Sequence, residues 1–178
     1  MEKKNLYKWE LLFWLWLAYF FNQADRQVFN IVLPLIKGDL GLTDTQLGII
    51  ASTFTLCVGL CTPLAGFIGD LFSKKKVIIT SLFVWSIATF FTGFSYSLVQ
   101  LIFLRSVAVG GGEAFYAPSS NAIICENHTK TRARAMSIHQ TSLYVGIILS
   151  GVLGGLIAEN YGWRSCFYLF GGIGIILA

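Results

Sequence analysis

Charged residues are scarce in this chain of 178 residues, where 12% are Asp, Glu, Lys or Arg and 55% are hydrophobic. Soluble globular domains carry about 25% charged residues. A soluble protein of this size could not cover so much apolar surface with so few charges, whereas a lipid bilayer can. Six spans of roughly 20 apolar residues, joined by short loops, would use nearly the whole chain. The composition therefore predicts an all-α membrane protein with no separate soluble domain.

Metal ligands and nucleophiles are few as well. The chain has two His and four Cys, and the cysteines lie inside or beside apolar segments with no metal-ligand spacing. An intramembrane enzyme would need a nucleophile–base pair or a metal cluster, and the sequence has neither. The net charge of +4 falls in short basic clusters rather than in a stripe with interleaved aromatic residues. We expect no cofactor, no metal, no enzymatic activity and no nucleic-acid partner.

The apolar runs predict six membrane-spanning helices. These are expected over residues 11–36, 47–71, 77–93, 98–125, 135–158 and 163–178. Thr43 or Asp44 can cap the start of the second span. The sixth has 16 residues, fewer than the roughly 20 that a full crossing needs. Because the sequence ends within this apolar run, it suggests a truncated chain.

Basic residues alternate between the two sides of these spans. Nine of the 13 Lys and Arg residues precede span one or lie in loops 2–3 and 4–5, against two in the opposite loops. Cytoplasmic loops carry an excess of Lys and Arg, so we predict a multi-pass protein of the cell (inner or plasma) membrane with a cytoplasmic N-terminus. The nine are Lys3, Lys4, Lys8, Lys74, Lys75, Lys76, Lys130, Arg132 and Arg134.

Span one carries a polar face within its apolar run. Charged groups in hydrocarbon are costly and normally face a cavity or a partner. The polar positions fall within an arc of roughly 140° on the helix, and this arc cannot point at lipid. We expect it to line a cavity or binding site; the alternative is an internal ion pair of Asp25 with Arg26 that only holds helices together. The residues of the arc are Asn22, Asp25, Arg26 and Asn30.

Span four carries two ionisable residues, Arg105 and Glu113, the second directly after Gly110–Gly112. Glycines allow another helix or a substrate to approach the backbone closely. Glu113 lies near mid-span and is a candidate proton carrier; the alternative is a neutral carboxyl group that packs helices. Arg105 can pair with a carboxylate or bind an anionic substrate group, or it can extend toward the outer headgroups.

Span five carries a stripe of small residues and a histidine. Gly146, Ser150 and Gly154 recur at every fourth position, which predicts a face for close helix packing. His139 enters the span just past its cytoplasmic edge, and we expect an interfacial hydrogen-bonding role rather than a proton relay.

Loop 2–3 reads GFIGDLFSKKK over residues 66–76. It resembles the loop signature of the major facilitator superfamily, G-x-x-x-D-R-x-G-R/K-R/K. Four positions match, namely Gly66, Asp70, Lys74 and Lys75, whereas Leu71 and Ser73 replace the usual arginine and glycine.

The resemblance implies a conformational latch. Asp70 would pair with Arg134 or Arg132 at the start of span five and hold one state of an alternating-access cycle. The arginine that Leu71 replaces would be missing from that latch. A proline at Gly151 would be expected in an antiporter, and its absence leans away from antiport without deciding between symport and uniport.

Asp25-Arg26 in span one, combined with Gly112-Glu113-Ala114 in span four, is similar to two groups within the superfamily. One is the spinster-like transporters of lysolipids and sphingolipids, and the other is the anion:cation symporter group, which moves organic acids. The resemblance implies that Asp25 and Glu113 take part in proton coupling and cavity gating, with Arg26 as their partner.

The expectation is a six-helix N-terminal bundle of a proton-coupled transporter that moves a small organic or amphipathic anion. Its partners would be an anionic or lysolipid substrate, protons, the lipid bilayer and a missing C-terminal six-helix half. Charge pairing and substrate contacts are expected of Asn22, Arg26, Asn30 and Arg105. The alternative function is a structural or regulatory membrane subunit, or an inactive transporter fragment.

Overall fold

The computed structural model describes residues 2–178, and side chains from Leu6 onward. Lys3 and Lys4, two of the basic residues used to predict orientation, have side chains outside that described part. Six long helices follow one another with short connections, and the described chain contains no β-strand. We number them α1 (Glu2–Leu40), α2 (Asp44–Leu71), α3 (Lys74–Thr92), α4 (Leu98–Asn127), α5 (Arg132–Tyr161) and α6 (Trp163–Leu177). The predicted all-α, six-helix architecture is confirmed.

The first connection shows how local sequence ends one helix and begins the next. Gly41 follows α1 with a φ of 62°, a left-handed conformation that glycine adopts without strain. Thr43 then caps α2, because its hydroxyl accepts from the amide of Gln46 while the Gln46 side chain accepts from the Thr43 amide. Of the two capping residues considered, Thr43 performs the role. Helix α1 continues past Pro34 to Leu40, beyond the end expected near residue 36.

Helix α4 is continuous but not uniform. Its segment Ile102–Val109 is π-helical, and a single residue, Phe115, interrupts the regular winding before Tyr116. A π-helical turn accommodates an extra residue and changes the direction in which the following side chains point. Arg105 lies inside this segment and Glu113 lies after it.

Glycines let the helices pack closely in two places. Helices α1 and α5 run against each other, and a Cβ added at Gly146 would lie 2.8 Å from the backbone oxygen of Phe20. At Gly154 it would lie 3.1 Å from the Val28 side chain. The predicted packing face of span five is therefore confirmed. Helices α3 and α6 approach equally closely, with Gly171 against the backbone of Phe90.

Two separate hydrophobic clusters form the interior. One is built around Val28, Val32, Ile50 and Phe167, and the other around Leu15, Leu82, Trp85 and Tyr116. Along α1 the first cluster begins at Ala24, and the second ends at Ala18. The polar stretch of α1 that starts at Asn22 therefore lies where the two clusters meet.

Four helices are long and apolar enough to cross a membrane within the described residues, namely α2, α3, α4 and α5. Helix α1 carries the polar face predicted above, and α6 has 15 residues. Large apolar side chains stay exposed on the outside, for example Leu60 at 65% and Ile148 at 64%. A surface of this kind suits lipid or another hydrophobic partner.

Candidate functional site

The polar stretch of α1 faces α3 and α4 inside the bundle. Asp25 is only 2% exposed. Its Oδ2 accepts a hydrogen bond of 3.3 Å from the hydroxyl of Thr89 on α3. Its main-chain carbonyl accepts a hydrogen bond of 3.2 Å from Nη2 of Arg105 on α4. The aspartate is thus held between two helices, and its carboxylate contacts no arginine directly among the described ion pairs.

Arg26 and Glu113 form the ion pair that joins α1 to α4. Arg26 Nε lies 2.6 Å from Glu113 Oε2. The Glu113 side chain is fully buried, whereas 37% of the Arg26 side chain is exposed. The Arg26 guanidinium also stands over the ring of Phe54 on α2, at 5.1 Å from its centroid. Glu113 therefore lies in the interior of the bundle, whereas Arg26 is partly exposed at the surface of that interior.

Arg105 is a buried cation that is held mostly by aromatic rings. It is 4% exposed. Its guanidinium lies 4.7 Å from the Phe29 ring centroid and 5.7 Å from that of Phe54. Arginine tolerates such a site because its planar, weakly hydrated group stacks on aromatic faces. The π-helical segment of α4 carries Arg105, which lies on the inside of the bundle rather than at the lipid surface. The extension toward outer headgroups considered from the sequence is therefore not what the structure shows.

Each of three buried charged groups keeps a polar atom without a hydrogen-bond partner among the described residues. These atoms are Oδ1 of Asp25, Nη1 of Arg105 and Oε1 of Glu113. Most buried polar atoms in proteins have partners. Next to these groups lies a cavity of about 260 Å³, which both arginines line. Its other lining residues are Phe29, Asn30, Ile50, Ala51, Phe54 and Thr55. Two guanidinium groups and two aromatic rings give it the chemistry of an anion site.

In the structure, only some residues of the predicted polar arc line the cavity. Asn22 is buried and accepts a hydrogen bond of 2.9 Å from Gln23, so it lies away from the cavity. Asn30 is exposed and lines the cavity. The internal pair of Asp25 with Arg26 is not formed. Adjacent residues point about 100° apart on a helix, and Arg26 turns to Glu113 instead.

The residues of the predicted latch are not connected as expected. Asp70 is exposed and forms no ion pair with a described side chain. Lys74 pairs instead with Glu126 on α4, at 3.0 Å. Arg134 lies over the ring of Trp9 at 5.5 Å. Gly66 and Lys74 line a small cleft with Asp70, whereas Lys75 and Arg132 are exposed elsewhere. The pairing of Asp70 with Arg132 or Arg134 stays a prediction about another conformation.

His139 differs from its expected interfacial position. It is 3% exposed, its ring stacks on Tyr19 at 4.8 Å, and its Nε2 lies 3.3 Å from the Tyr116 hydroxyl. Sequence reasoning also missed Thr89 and Phe54. A threonine or phenylalanine within an apolar run has no contrast with its neighbours, so no local signal marks either one.

Comparison with known proteins relates this geometry to a family. Residues 15–178 match the Major Facilitator Superfamily. The probable sulfoacetate transporter SauU of Cupriavidus necator is 31% identical over 160 residues, which are 89% of this chain and 37% of that protein. The hexuronate transporter of Bacillus subtilis is 28% identical over 172 residues, which are 96% of this chain and 40% of that protein.

A solved structure gives the same relation. A bacterial homolog of the human lysosomal transporter Spinster, in an inward-facing and occupied conformation, superposes with a TM-score of 0.90 at 28% identity. The superposition covers 96% of this chain and 43% of the Spinster homolog's chain. The chain thus spans about two fifths of the length of these proteins. On its sequence and its fold, this chain is a multi-pass membrane protein that belongs to the Major Facilitator Superfamily.

Proposed function

We propose that this chain is the N-terminal half of a proton-coupled secondary transporter that moves a small organic or amphipathic anion by alternating access. The observation that carries the proposal is the cluster of buried Asp25, Arg105 and Glu113 with the partly exposed Arg26, beside a cavity that both arginines line. Ionisable groups inside a membrane-spanning bundle are costly and characteristically mark substrate pathways and proton relays.

Arg26 supplies a physical link between the proton and the anion. Its guanidinium is paired with Glu113 and at the same time lines the cavity. A proton on Glu113 neutralises that carboxylate, so the attraction that holds Arg26 to it falls. Arg26 is then available to a substrate carboxylate or sulfonate, for which arginine has the matching fork of donors. Proton and anion thus favour the same state, which is the requirement for symport.

Relatives support an anionic substrate. The two named above are a probable sulfoacetate transporter and a hexuronate transporter, both of which carry anions according to their names. The cavity combines two cations with Asn30 and Thr55, which can hydrogen-bond to hydroxyl or oxo groups. We therefore favour a small oxygen-rich organic anion, with a lysolipid headgroup as the second candidate.

The whole transporter requires a partner half. Members of this class bind substrate near the membrane midplane, between two structural repeats that rock against each other. The exposed apolar rows of α2 and α5, with Leu60 and Ile148 among them, suit contact with such a half or with lipid. Asp70 and Arg134 would pair at the cytoplasmic side in one of the two states.

Uptake of a sulfonate or sugar-acid probe into vesicles tests the proposal, using the protein that carries both halves. Glu113→Gln, which mimics a protonated carboxyl group, should abolish accumulation driven by a proton gradient while substrate exchange without a gradient continues. Asp25→Asn should also weaken the proton dependence. Glu159→Gln, at an exposed position on α5, serves as the matched control and should behave as wild type. Unchanged proton-driven uptake in both cluster variants would show that these carboxylates do not couple transport.

A further inference from the structure

A groove separate from the charge cluster runs between α2, α3 and α4. Its volume is about 390 Å³ and its walls are largely apolar. Ile68 and Phe72 come from α2, Val77 and Val84 from α3, and Phe115 from α4. None of these residues lines the cavity beside Arg26. The groove is therefore separate from that cavity and differs from it in chemistry.

Two glycines of α4, Gly111 and Gly112, line the groove. A Cβ built on Gly111 would have only Cys57 Sγ near it, at 4.0 Å, whereas a Cβ on Gly112 would lie 3.1 Å from the Trp85 backbone nitrogen, so Gly112 lets α4 approach α3 closely. The one buried hydroxyl of the lining belongs to Ser81, and it already donates to the carbonyl of Gly112. An apolar chain can therefore enter the groove without leaving that hydroxyl unpaired, whereas a polar solute would find few partners.

The end of the groove at the start of α3 is positively charged. Lys76 lies there in the first turn of α3. Its neighbour Lys74 is paired with Glu126, but no described ion pair includes Lys76. Ser73, which precedes the helix, makes no side-chain capping hydrogen bond. The first amides of α3 and the Lys76 ammonium thus offer an anion the positive pole of a 19-residue helix.

The dimensions of the groove match those of a bilayer leaflet. Lys76 and Val84 are eight positions apart on α3, which is about 12 Å at 1.5 Å per residue. The hydrocarbon core is about 30 Å thick, so the groove extends from the headgroup level most of the way to the midplane. Basic pockets between transmembrane helices on the cytoplasmic side are suited to anionic headgroups.

We propose that this groove binds one acyl chain of an anionic phospholipid, with the lipid phosphate at Lys76 and the first turn of α3. The occupant is a membrane lipid rather than a transported substrate, because the groove is apolar along its length and charged only at its cytoplasmic end. The site does not depend on the transport mechanism proposed above.

A photoactivatable phosphatidylglycerol with a diazirine in its acyl chain tests the site in full-length protein reconstituted into vesicles. Wild-type protein should be labelled on peptides that contain Phe72 to Val84. Lys76→Gln should weaken labelling about fivefold, the effect of one basic residue at an anionic membrane surface. Thr80→Trp, which fills the groove from an exposed position on α3, should abolish labelling of these peptides.

Two matched variants control for charge and for bulk. Lys130→Gln removes an exposed charge outside the groove, and Phe83→Trp adds bulk on the same helix at a position that does not line it. Both should label as wild type. Three results would each overturn the proposal. The first is equal labelling by the corresponding phosphatidylcholine, and the second is competition by inorganic phosphate alone. The third is an absence of labelling in wild type because another helix covers the groove.

Discussion

At the scale of single residues, Arg26 and Arg105 differ in how firmly the surrounding residues hold them. Arg105 is buried between two rings and bonded to the Asp25 carbonyl, so its position is fixed. Arg26 is partly exposed and is held by one carboxylate. A fixed cation beside a releasable one is the arrangement that the proposed anion site needs if its affinity is to change when a single proton binds.

Tyr116 is a residue whose effect on stability can be separated from transport. It is 1% exposed, and its hydroxyl donates a hydrogen bond of 2.6 Å to the carbonyl of Leu15. Tyr116→Phe should therefore destabilise the protein by about 1 kcal/mol, the typical size of an interhelical hydrogen bond in a membrane protein. The measurement is the thermal unfolding midpoint in detergent. Tyr144→Phe, at a side chain that is 67% exposed, should leave the midpoint unchanged; equal shifts in the two variants would contradict the assignment.

Sequence reasoning reached the charged residues of the site but not its neutral ones. Asp25 and Glu113 are conspicuous because an ionisable group in hydrocarbon needs a partner. The partner of Arg26 could not be predicted from its distance along the sequence to the carboxylates. Arg26 follows Asp25 directly, yet it contacts Glu113, which is 87 positions away. Thr89 and Phe54 become visible only when α3 and α2 are packed against α1.

At the scale of helices, packing depends on glycines whose neighbours are main-chain atoms. Gly171 lies against Phe90 on α3, and a Cβ there would lie 2.7 Å from the Phe90 Cα. The next residue, Gly172, has nothing within 4 Å of such a Cβ. The contrast was not available from sequence, because two adjacent glycines in one apolar run look equivalent.

Substitution of these two glycines tests the α3–α6 contact. Gly171→Ala should destabilise the protein by about 1–3 kcal/mol, as overpacking does where backbone must move. Gly172→Ala makes the same chemical change on the same helix and should be neutral or slightly stabilising. Thermal unfolding midpoints of the two purified variants give the comparison. If Gly172→Ala were the more damaging, the register of α6 on α3 would be wrong.

The C-terminal end of α1 and the N-terminal end of α6 are joined by a polar cluster. Asp39 accepts hydrogen bonds of 2.6 Å from Arg164 Nη1 and 3.2 Å from Trp163 Nε1. Arg164 also donates to the carbonyl of Ser95, at 3.3 Å. These hydrogen bonds, with the one from Arg164 the largest cause, hold the pKa of Asp39 below its ordinary value of 3.8.

This shift predicts a pH-dependent contribution to stability. A lowered carboxyl pKa stabilises the folded state above the ordinary pKa, and the contribution is lost as pH falls through the folded value. Asp39→Asn should therefore lower the thermal midpoint at neutral pH, and the difference from wild type should shrink below pH 3.8. Glu159→Gln, on an exposed residue without a described ion pair, should show no such trend. A difference that stayed constant at acidic pH would point to packing rather than ionisation.

At the scale of the whole molecule, the polar site lies where two hydrophobic clusters meet along α1. The helix number and the all-α architecture followed from hydropathy alone, because a bilayer permits few other structures. The ends of the helices were harder to predict from the sequence. Helix α1 runs to Leu40 past a proline, and the π-helical segment of α4 leaves no mark in hydropathy.

The direction of the bundle in the membrane remains a prediction from charge, and it can be measured. Nine basic residues on one side against two on the other predict that the α4–α5 connection is cytoplasmic and the α5–α6 connection is external. In full-length protein whose native cysteines are replaced by serine, Lys130→Cys should react with a membrane-impermeant maleimide only in inside-out vesicles. Asn160→Cys, exposed near the opposite end of α5, should react in intact cells. The reverse pattern would show that the bundle has the opposite orientation, with Asp70 and Lys76 on the external side.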